Sequence, residues 1–533
     1  MKNLPRRAAI VVLLLLAAFA GLACALVPGF VEDAARRQLA ELPAGLAAQG
    51  IALEAPQVED VHFSLPSREL TLRNIRLQGA LTGEGGASRG SFLSTAEELR
   101  LRLTVRGMLL TTPLARFLLP AGEPGAELIP VADSLDAREL TCAVAEPGLA
   151  MNLSATDATA NDVAVDGALL RVLLTGSPAA SEPDALDWLY GFAVADFRIT
   201  GLALAMDAPQ SGESFSLSCA EFLTRGLERR HMAEQEARGI RCELPDGQAV
   251  SIASLREEAI ALPEKALLRP LLQELARPKL SEKRLQEALK TAFSGPEPLA
   301  GSCVLTGLVL PIAGAPEGSD LKLQRAALTW RATKPLDQEL AIEGFSMPTA
   351  PLTQAGGFAL PGLSTLALDA TLAVRGTGAG PSGPEQHSGT IAARELCTVA
   401  YAFTLDPQGY GAELAALRGT YSAASLRYTD QGLLPRLAAS FMPSAEAAMM
   451  VIKVGLARFC SGPAPENAAL RAALETFVER PGTLALTARK PFNLLEAIVT
   501  VGEGNAGALV SAEATPGPLT LGQAMRQAGS GGR

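Results

Sequence analysis

Aromatic residues make up only 5% of this 533-residue chain and charged residues only 19%. The first scarcity leaves small and aliphatic side chains to supply most of the apolar surface, which suits thin, repetitive packing better than a deep aromatic pocket. Histidine is nearly absent. His62, His231 and His387 are the three in the chain, and none stands in an H-E-x-x-H or beside cysteines at zinc-ligand spacing. His62, in DVHFSL, reads as a strand residue, His231 as the surface of an Arg/Glu-rich helix, and His387 as part of a Gly/Pro loop. Seven cysteines include no C-x-x-C, which removes a redox dithiol and a zinc ribbon. Gly376-Thr-Gly378-Ala-Gly380 is not followed by G-K-[ST], and Ser319 to Lys322 matches S-x-x-K without its S-D-N and K-T-G companions. No catalytic, cofactor or metal site is expected. A net charge of -10 gives no basic footprint for nucleic acid, whose binding needs clustered Lys and Arg.

What the chain does have begins at its start. Lys2, Arg6 and Arg7 precede an uncharged stretch from Ala8 to Val31. At ~1.5 Å rise per residue, about 20 such residues cross a hydrocarbon core of roughly 30 Å. The basic flank stays on the cytoplasmic side, which sends the rest outward. Residues 1–31 are therefore expected to form a signal anchor, with cleavage at Ala23-Cys24-Ala25 as the alternative. The cysteines beyond Cys24, namely Cys142, Cys219, Cys242, Cys303, Cys397 and Cys460, read as buried small hydrophobes.

A short connecting helix is expected over 32–50, after which the apolar period changes to two. IALEAPQVEDVHFSLPS and RELTLRNIRLQGAL alternate as half-buried strands do. The pattern predicts a mainly β, α+β protein: a repetitive antiparallel region over 51–375 with a helical insertion at 254–293, where Pro270 breaks the first helix. A flexible linker at 376–389 leads into a C-terminal α/β region over 390–533 with a disordered tail.

One octet recurs: LTLRNIRL (Leu70 to Leu77), LTVRGMLL (Leu103 to Leu110), FRITGLAL (Phe197 to Leu204), CVLTGLVL (Cys303 to Leu310) and LAIEGFSM (Leu340 to Met347). Its apolar residues fall at positions one, three, six and eight, so the parity slips between three and six. A bulge or kink there returns all four side chains to one face. Position five is Gly or Asn, the residues that best tolerate left-handed backbone. A tight hairpin at positions four and five is the rival.

The order of anchor, short Ala/Arg/Leu helix and IALEAPQVEDVHFSLPSRELTLRNIRLQG resembles the opening of AsmA-like and TamB-like envelope proteins of Gram-negative bacteria. The resemblance covers about 80 residues and contains no diagnostic motif. It implies a curved, bulged antiparallel sheet forming a groove whose concave face shelters lipid acyl chains, in a single-pass inner-membrane protein whose bulk lies in the periplasm. The implied role is envelope biogenesis without catalysis, the partners being the inner membrane and phospholipid or an envelope protein. Candidate lining residues are Leu70, Leu72, Ile75, Leu77, Phe197, Ile199, Leu202, Leu204, Leu305, Leu308, Leu310, Ile342, Phe345 and Met347. Their alternative is an ordinary closed core, which would make the protein a periplasmic scaffold. An exported hydrolase with a dispersed site is the third reading.

Overall fold

Strand follows strand for most of the chain, and within each unit most pair antiparallel with the next. The computed structural model describes residues 27–41, 43, 51–82, 88–112, 127–146, 148–175, 186, 190–208, 213–245, 247–261, 264–275, 284, 287–288, 301–312, 319–331, 337–350, 360–376, 383–409, 412–442 and 444–530. The chain divides into two units. The first holds residues 1–249 and 254–299, and the second 250–253 and 300–533.

The strands of the first unit are β1 (Ile51–Leu53), β2 (Asp60–Ser64), β3 (Glu69–Thr82), β4 (Ser88–Leu103), β5 (Leu128–Glu146), β6 (Leu149–Asp166), β7 (Phe192–Ala208), β8 (Glu213–Glu228), β9 (His231–Glu243) and β10 (Ala249–Ala261), whose Val250–Ala253 stretch groups with the second unit. Both β1 and β2 pair with β3, and the meander then runs β3 to β9 in chain order. Helix α1 (27–41) closes one end. Its Val31, 1% exposed, packs with Val61, Phe63, Leu70, Leu72 and Leu103, and its Glu32 carboxylate accepts the Phe63 N–H at 2.9 Å. Helices α2 (Val105–Leu110) and α3 (Gly167–Thr175) form a second small core with Ile129 and Val165. Asp166, 2% exposed, caps α3 by accepting the Ala168 N–H at 2.9 Å. Helix α4 (Lys265–Leu275) follows β10.

The second unit continues the style with β11 (Ser302–Pro311), β12 (Asp320–Arg331), β13 (Asp337–Pro348), β14 (Thr365–Gly376), β15 (Glu385–Ala393), β16 (Cys397–Asp406), β17 (Thr420–Asp430), β18 (Thr483–Ala488) and β19 (Val510–Thr515), each paired with its successor. Its helices over the described residues include α5 (Ala412–Arg418), α6 (Leu433–Phe441), α7 (Ala445–Phe459), α8 (Pro465–Glu479), α9 (Leu494–Gly502) and α10 (Leu521–Ser530). Ala438, Ala448, Phe477 and Leu521, from α6, α7, α8 and α10, cover Leu484 and Tyr428 at the β17–β18 end of the sheet.

Several expectations change. The octet at Leu103–Leu110 is not a bent strand. Thr104 accepts the Gly107 N–H at 2.8 Å and starts α2, and the Gly107 backbone lies so close to the Val131 carbonyl that a Cβ would come within 2.1 Å of that oxygen. The helical insertion starts eleven residues late, because SLREEAIA is the end of β10 and α4 begins only at Lys265. Pro270 sits inside α4 without ending it. It forfeits one backbone hydrogen bond, while Leu271 remains 8% exposed in a small cluster with Ala288 and Leu268. His231 opens β9 rather than lying on a helix, its charged neighbours being cross-strand partners of β8. Within the expected linker Glu385 to Gly389 are strand, and near the C-terminus residues 521–530 form α10 with Leu521 1% exposed.

Among the described residues no single helix is long and apolar enough to cross a membrane; α6 and α7 meet the length and composition requirement only together, bent by 102°. The expected anchor lies outside the described residues up to residue 26, and 27–31 open α1.

Candidate functional site

The recurring octet fixes which side chains share a face. In four copies position five adopts left-handed backbone, at Asn74 (φ 48°), Gly201 (62°), Gly307 (60°) and Gly344 (63°), while the strand runs on through it. The hairpin alternative is thereby removed. An extra residue in the register occurs only at the last, where Ile342 faces Ala370 and Phe345 faces Leu368, and the Gly344 N–H is donated to the Asp369 carboxylate at 2.6 Å. Elsewhere the left-handed residue alone turns the strand over. Leu70 and Leu72 share a cluster with Ile75 on the far side of Asn74, which an uninterrupted period of two would forbid.

These residues fall in a line across the first sheet. Flanking pairs place Asn74 opposite Glu97, Glu139 opposite Thr156, Thr156 opposite Gly201, Gly201 opposite Ala220, and Ala220 opposite Gly239. Asn74, Glu139, Gly201 and Gly239 all have positive φ. Every second strand from β3 to β9 thus carries a left-handed residue at one level, forming a transverse crease.

On one side of the sheet the register lines up apolar rows. Leu72, Leu99, Ala137, Ala158, Ile199, Phe222 and Ala237 are successive cross-strand partners, and beyond the crease so are Leu77, Ser94, Cys142, Leu153, Leu204, Leu217 and Cys242. On the other side, Arg73, Glu98, Arg138, Asp157, Thr200, Glu221 and Arg238 form a cross-strand ladder. Glu98 lies 3.4 Å from Arg73, 2.8 Å from Arg100 and 3.9 Å from Arg138. The Arg100 hydrogen bond holds its carboxyl below the usual carboxylate range. The second unit repeats the apolar rows: Leu305, Ala326, Ile342, Ala370, Ile391, Val399, Tyr428, Leu484 and Ala514 are successive partners.

The fourteen candidate residues separate accordingly. Leu70 and Leu72 are buried and Ile75 packs beside them, all in the closed core under α1. They line no groove, because helix residues 27–41 cover them. Leu77, Phe197, Ile199, Leu202 and Leu204 are half-buried, as are Leu305, Leu308, Ile342, Phe345 and Met347, while Leu310 is 39% exposed. None of these eleven belongs to any buried cluster among the described residues.

A group that sequence reasoning missed lies in the second unit. His387 stacks on Phe403 with ring centres 4.7 Å apart, so it is a strand residue packed on an aromatic, not a loop residue. Phe403, Tyr421 and Phe492 continue the series at 5.4 and 5.7 Å, with Tyr401 5.9 Å from Phe403. The signal was the alternating YAF of β16, overlooked because aromatics are scarce overall. Cys219, Cys397 and Cys460 are buried and Cys142, Cys242 and Cys303 half-buried, none of the six in a disulfide. Burial pushes the Cys397 and Cys460 thiols up. Among the described residues no group of three or more His, Cys, Asp or Glu is placed to hold a metal ion. No protein family, curated protein or solved structure matches the chain.

Proposed function

We propose that the protein shelters and passes on lipid along its apolar sheet faces, as a membrane-anchored, non-catalytic component of the cell envelope of the AsmA-like kind. The observation that carries this reading is the set of apolar rows whose larger side chains stand half-buried outside every closed cluster among the described residues. Removing apolar surface from water is worth about 25 cal/mol per Å², so a half-exposed row gains stability when an acyl chain lies along it. The charged ladder on the opposite side satisfies its own ion pairs and stays wet. One observation favours a second reading, an interaction scaffold: Met450, Val451 and Val454 of α7 are 70%, 53% and 63% exposed, a concentration that marks contact surfaces.

Photo-crosslinking in cells tests the proposal with the full-length chain. Benzoyl-phenylalanine at Leu204 or Leu308, irradiated after growth on radiolabelled phosphate, is expected to yield a labelled adduct that survives denaturing purification. The same group at Arg198, on the charged side, is expected to give none. Equal labelling at all three positions, or no lipid adduct at Leu204 and Leu308, would overturn the reading; a protein adduct on α7 in its place would favour the scaffold.

A further inference from the structure

The aromatic series of the second unit borders a trough of about 510 Å³, inside the ~300–1,000 Å³ range of small-molecule sites. Tyr401, Phe403, Tyr421 and Phe492 supply its rings and Leu426, Leu486 and Leu494 much of the rest. No lining residue carries a charge. The Tyr421 hydroxyl is already donated to the Ala416 carbonyl of α5 at 2.8 Å, which leaves mainly the Tyr401, Ser425 and Thr487 hydroxyls as polar partners. A polar ligand buried here would leave most of its own groups unpaired at a cost of ~1–3 kcal/mol each. The occupant is therefore hydrocarbon over most of its length.

Two features near the trough say what the rest of the occupant is. Helix α9 starts at the lining residue Leu494 and leaves Leu495, Ile498 and Val499 at 46%, 59% and 59% exposure, with no fully buried residue of its own. Arg489 directly follows the lining Ala488, and Arg418 ends α5, the helix to which Tyr421 is bonded. Both arginines are exposed, and neither has an ion-pair partner among the described residues, whereas the adjacent Lys490 is held by Glu496 of α9 at 3.0 Å. An exposed arginine one residue past the lining, with no ion pair among the described residues, complements a chain that ends in an oxyanion.

We propose that this trough binds a single long alkyl chain ending in an anionic group, a carboxylate or a phosphodiester, with the chain against the aromatic series and the anion at Arg489. The site belongs to the second unit alone and stands independently of the cargo reading above.

The test uses the purified full chain and two diazirine-bearing probes, palmitic acid in solution and phosphatidylglycerol in vesicles, with adducts located by peptide mass spectrometry. Label is expected on peptides spanning 397–430 or 483–510. Palmitic acid labelling identifies a free fatty acid as the source, and labelling from vesicles alone identifies a membrane lipid. Ala402→Trp, a change at an exposed lining residue, is expected to cut trough labelling at least tenfold, with Ser425→Trp as the second filler should the first fail to fold. Arg489→Glu is expected to cut labelling by both anionic probes at least fivefold and to leave a neutral diazirine fatty alcohol unchanged. No label at the trough, labelling undiminished in a folded filler variant, or equal loss of anionic and neutral probes in Arg489→Glu would overturn the proposal. A trough adduct without an adduct at Leu204 or Leu308 would refute the sheet-face reading alone.

Discussion

Replacing Gly201 by valine strikes the crease where its cost has two separable parts. The residue has φ 62°, and a Cβ built on it would stand 2.3 Å from the Thr156 hydroxyl oxygen on the neighbouring strand. Left-handed backbone costs an L-residue about 1–2 kcal/mol, and forcing side-chain atoms into an occupied space about 1–3 kcal/mol more. Gly201→Val should therefore destabilise the first unit by roughly 2–5 kcal/mol. Gly201→Ala should lie near the lower end. Adding Thr156→Ala to Gly201→Ala should recover the steric part and leave the backbone part. The contrast is Gly455 in α7, where a Cβ meets nothing within 4 Å and φ is not positive; Ala there should stabilise by about 0.5–1 kcal/mol. Native-state hydrogen exchange on β6, β7 and β8 peptides reads the local opening free energy directly. A Gly201→Val protein within 0.5 kcal/mol (about the scatter of a neutral surface change) of the parent, or full recovery by Thr156→Ala, would refute the assignment of the crease to left-handed backbone.

Glu98→Gln should lower stability by about 1–2 kcal/mol, since the carboxylate is mostly buried while its arginine partners are partly solvated. The sign with pH follows from the depressed carboxyl: its contribution is complete above the unfolded value of about 4.3 and is lost as pH falls through the lower folded value. The gap between parent and variant in urea titrations should thus close on acidification through that range, and a gap that widens would refute it. Leu521→Ala should cost about 2–5 kcal/mol, because the side chain is 1% exposed among α6, α7 and α8; resistance of residues 521–530 to carboxypeptidase, with its loss in the variant, checks that the C-terminal helix is docked. Cys397 and Cys460, buried with raised thiols, should react with a maleimide at pH 7.5 at least tenfold more slowly than the half-buried Cys142 and Cys242, measured peptide by peptide.

The β class was legible because period-two alternation survives single-sequence reading, and the positive φ at Gly201, Gly307, Gly344 and Asn74 was legible because no other residue types fill that slot as easily. What the octet could not reveal was its context. At Leu103–Leu110 the same spacing serves a helix capped by Thr104, whereas Thr71 at the equivalent place of LTLRNIRL stays in a strand, so the octet alone does not decide between them. SLREEAIA and HMAEQEAR read as helix through their charges, yet those charges are held by partners on the next strand, as Arg225 with Glu234 and Arg256 with Glu234 show at 2.8 and 3.1 Å. Charge pairing three or four residues apart along a helix and pairing across a sheet draw on the same residue types, so composition cannot separate them.

The candidate groove was legible as a set of apolar slots and illegible as a surface. Nothing in LTLRNIRL announces that α1 covers Leu70 and Leu72 while FRITGLAL leaves Phe197 and Leu204 outside every described cluster, because cover comes from elements distant in sequence. The same distance hid the trough: Tyr401, Tyr421 and Phe492 span 92 residues and meet through the β16–β17 ladder and the Tyr421–Phe492 bridge. In a protein that alternates on both sheet faces, the informative departures are the places where one face changes character. Here those places are the helix-covered core at β2–β3 and the aromatic trough at β16–β18. The half-exposed rows fit a sliding, unspecific contact with hydrocarbon, and the trough, with its rings and the exposed arginine beside it, fits a ligand held at one end.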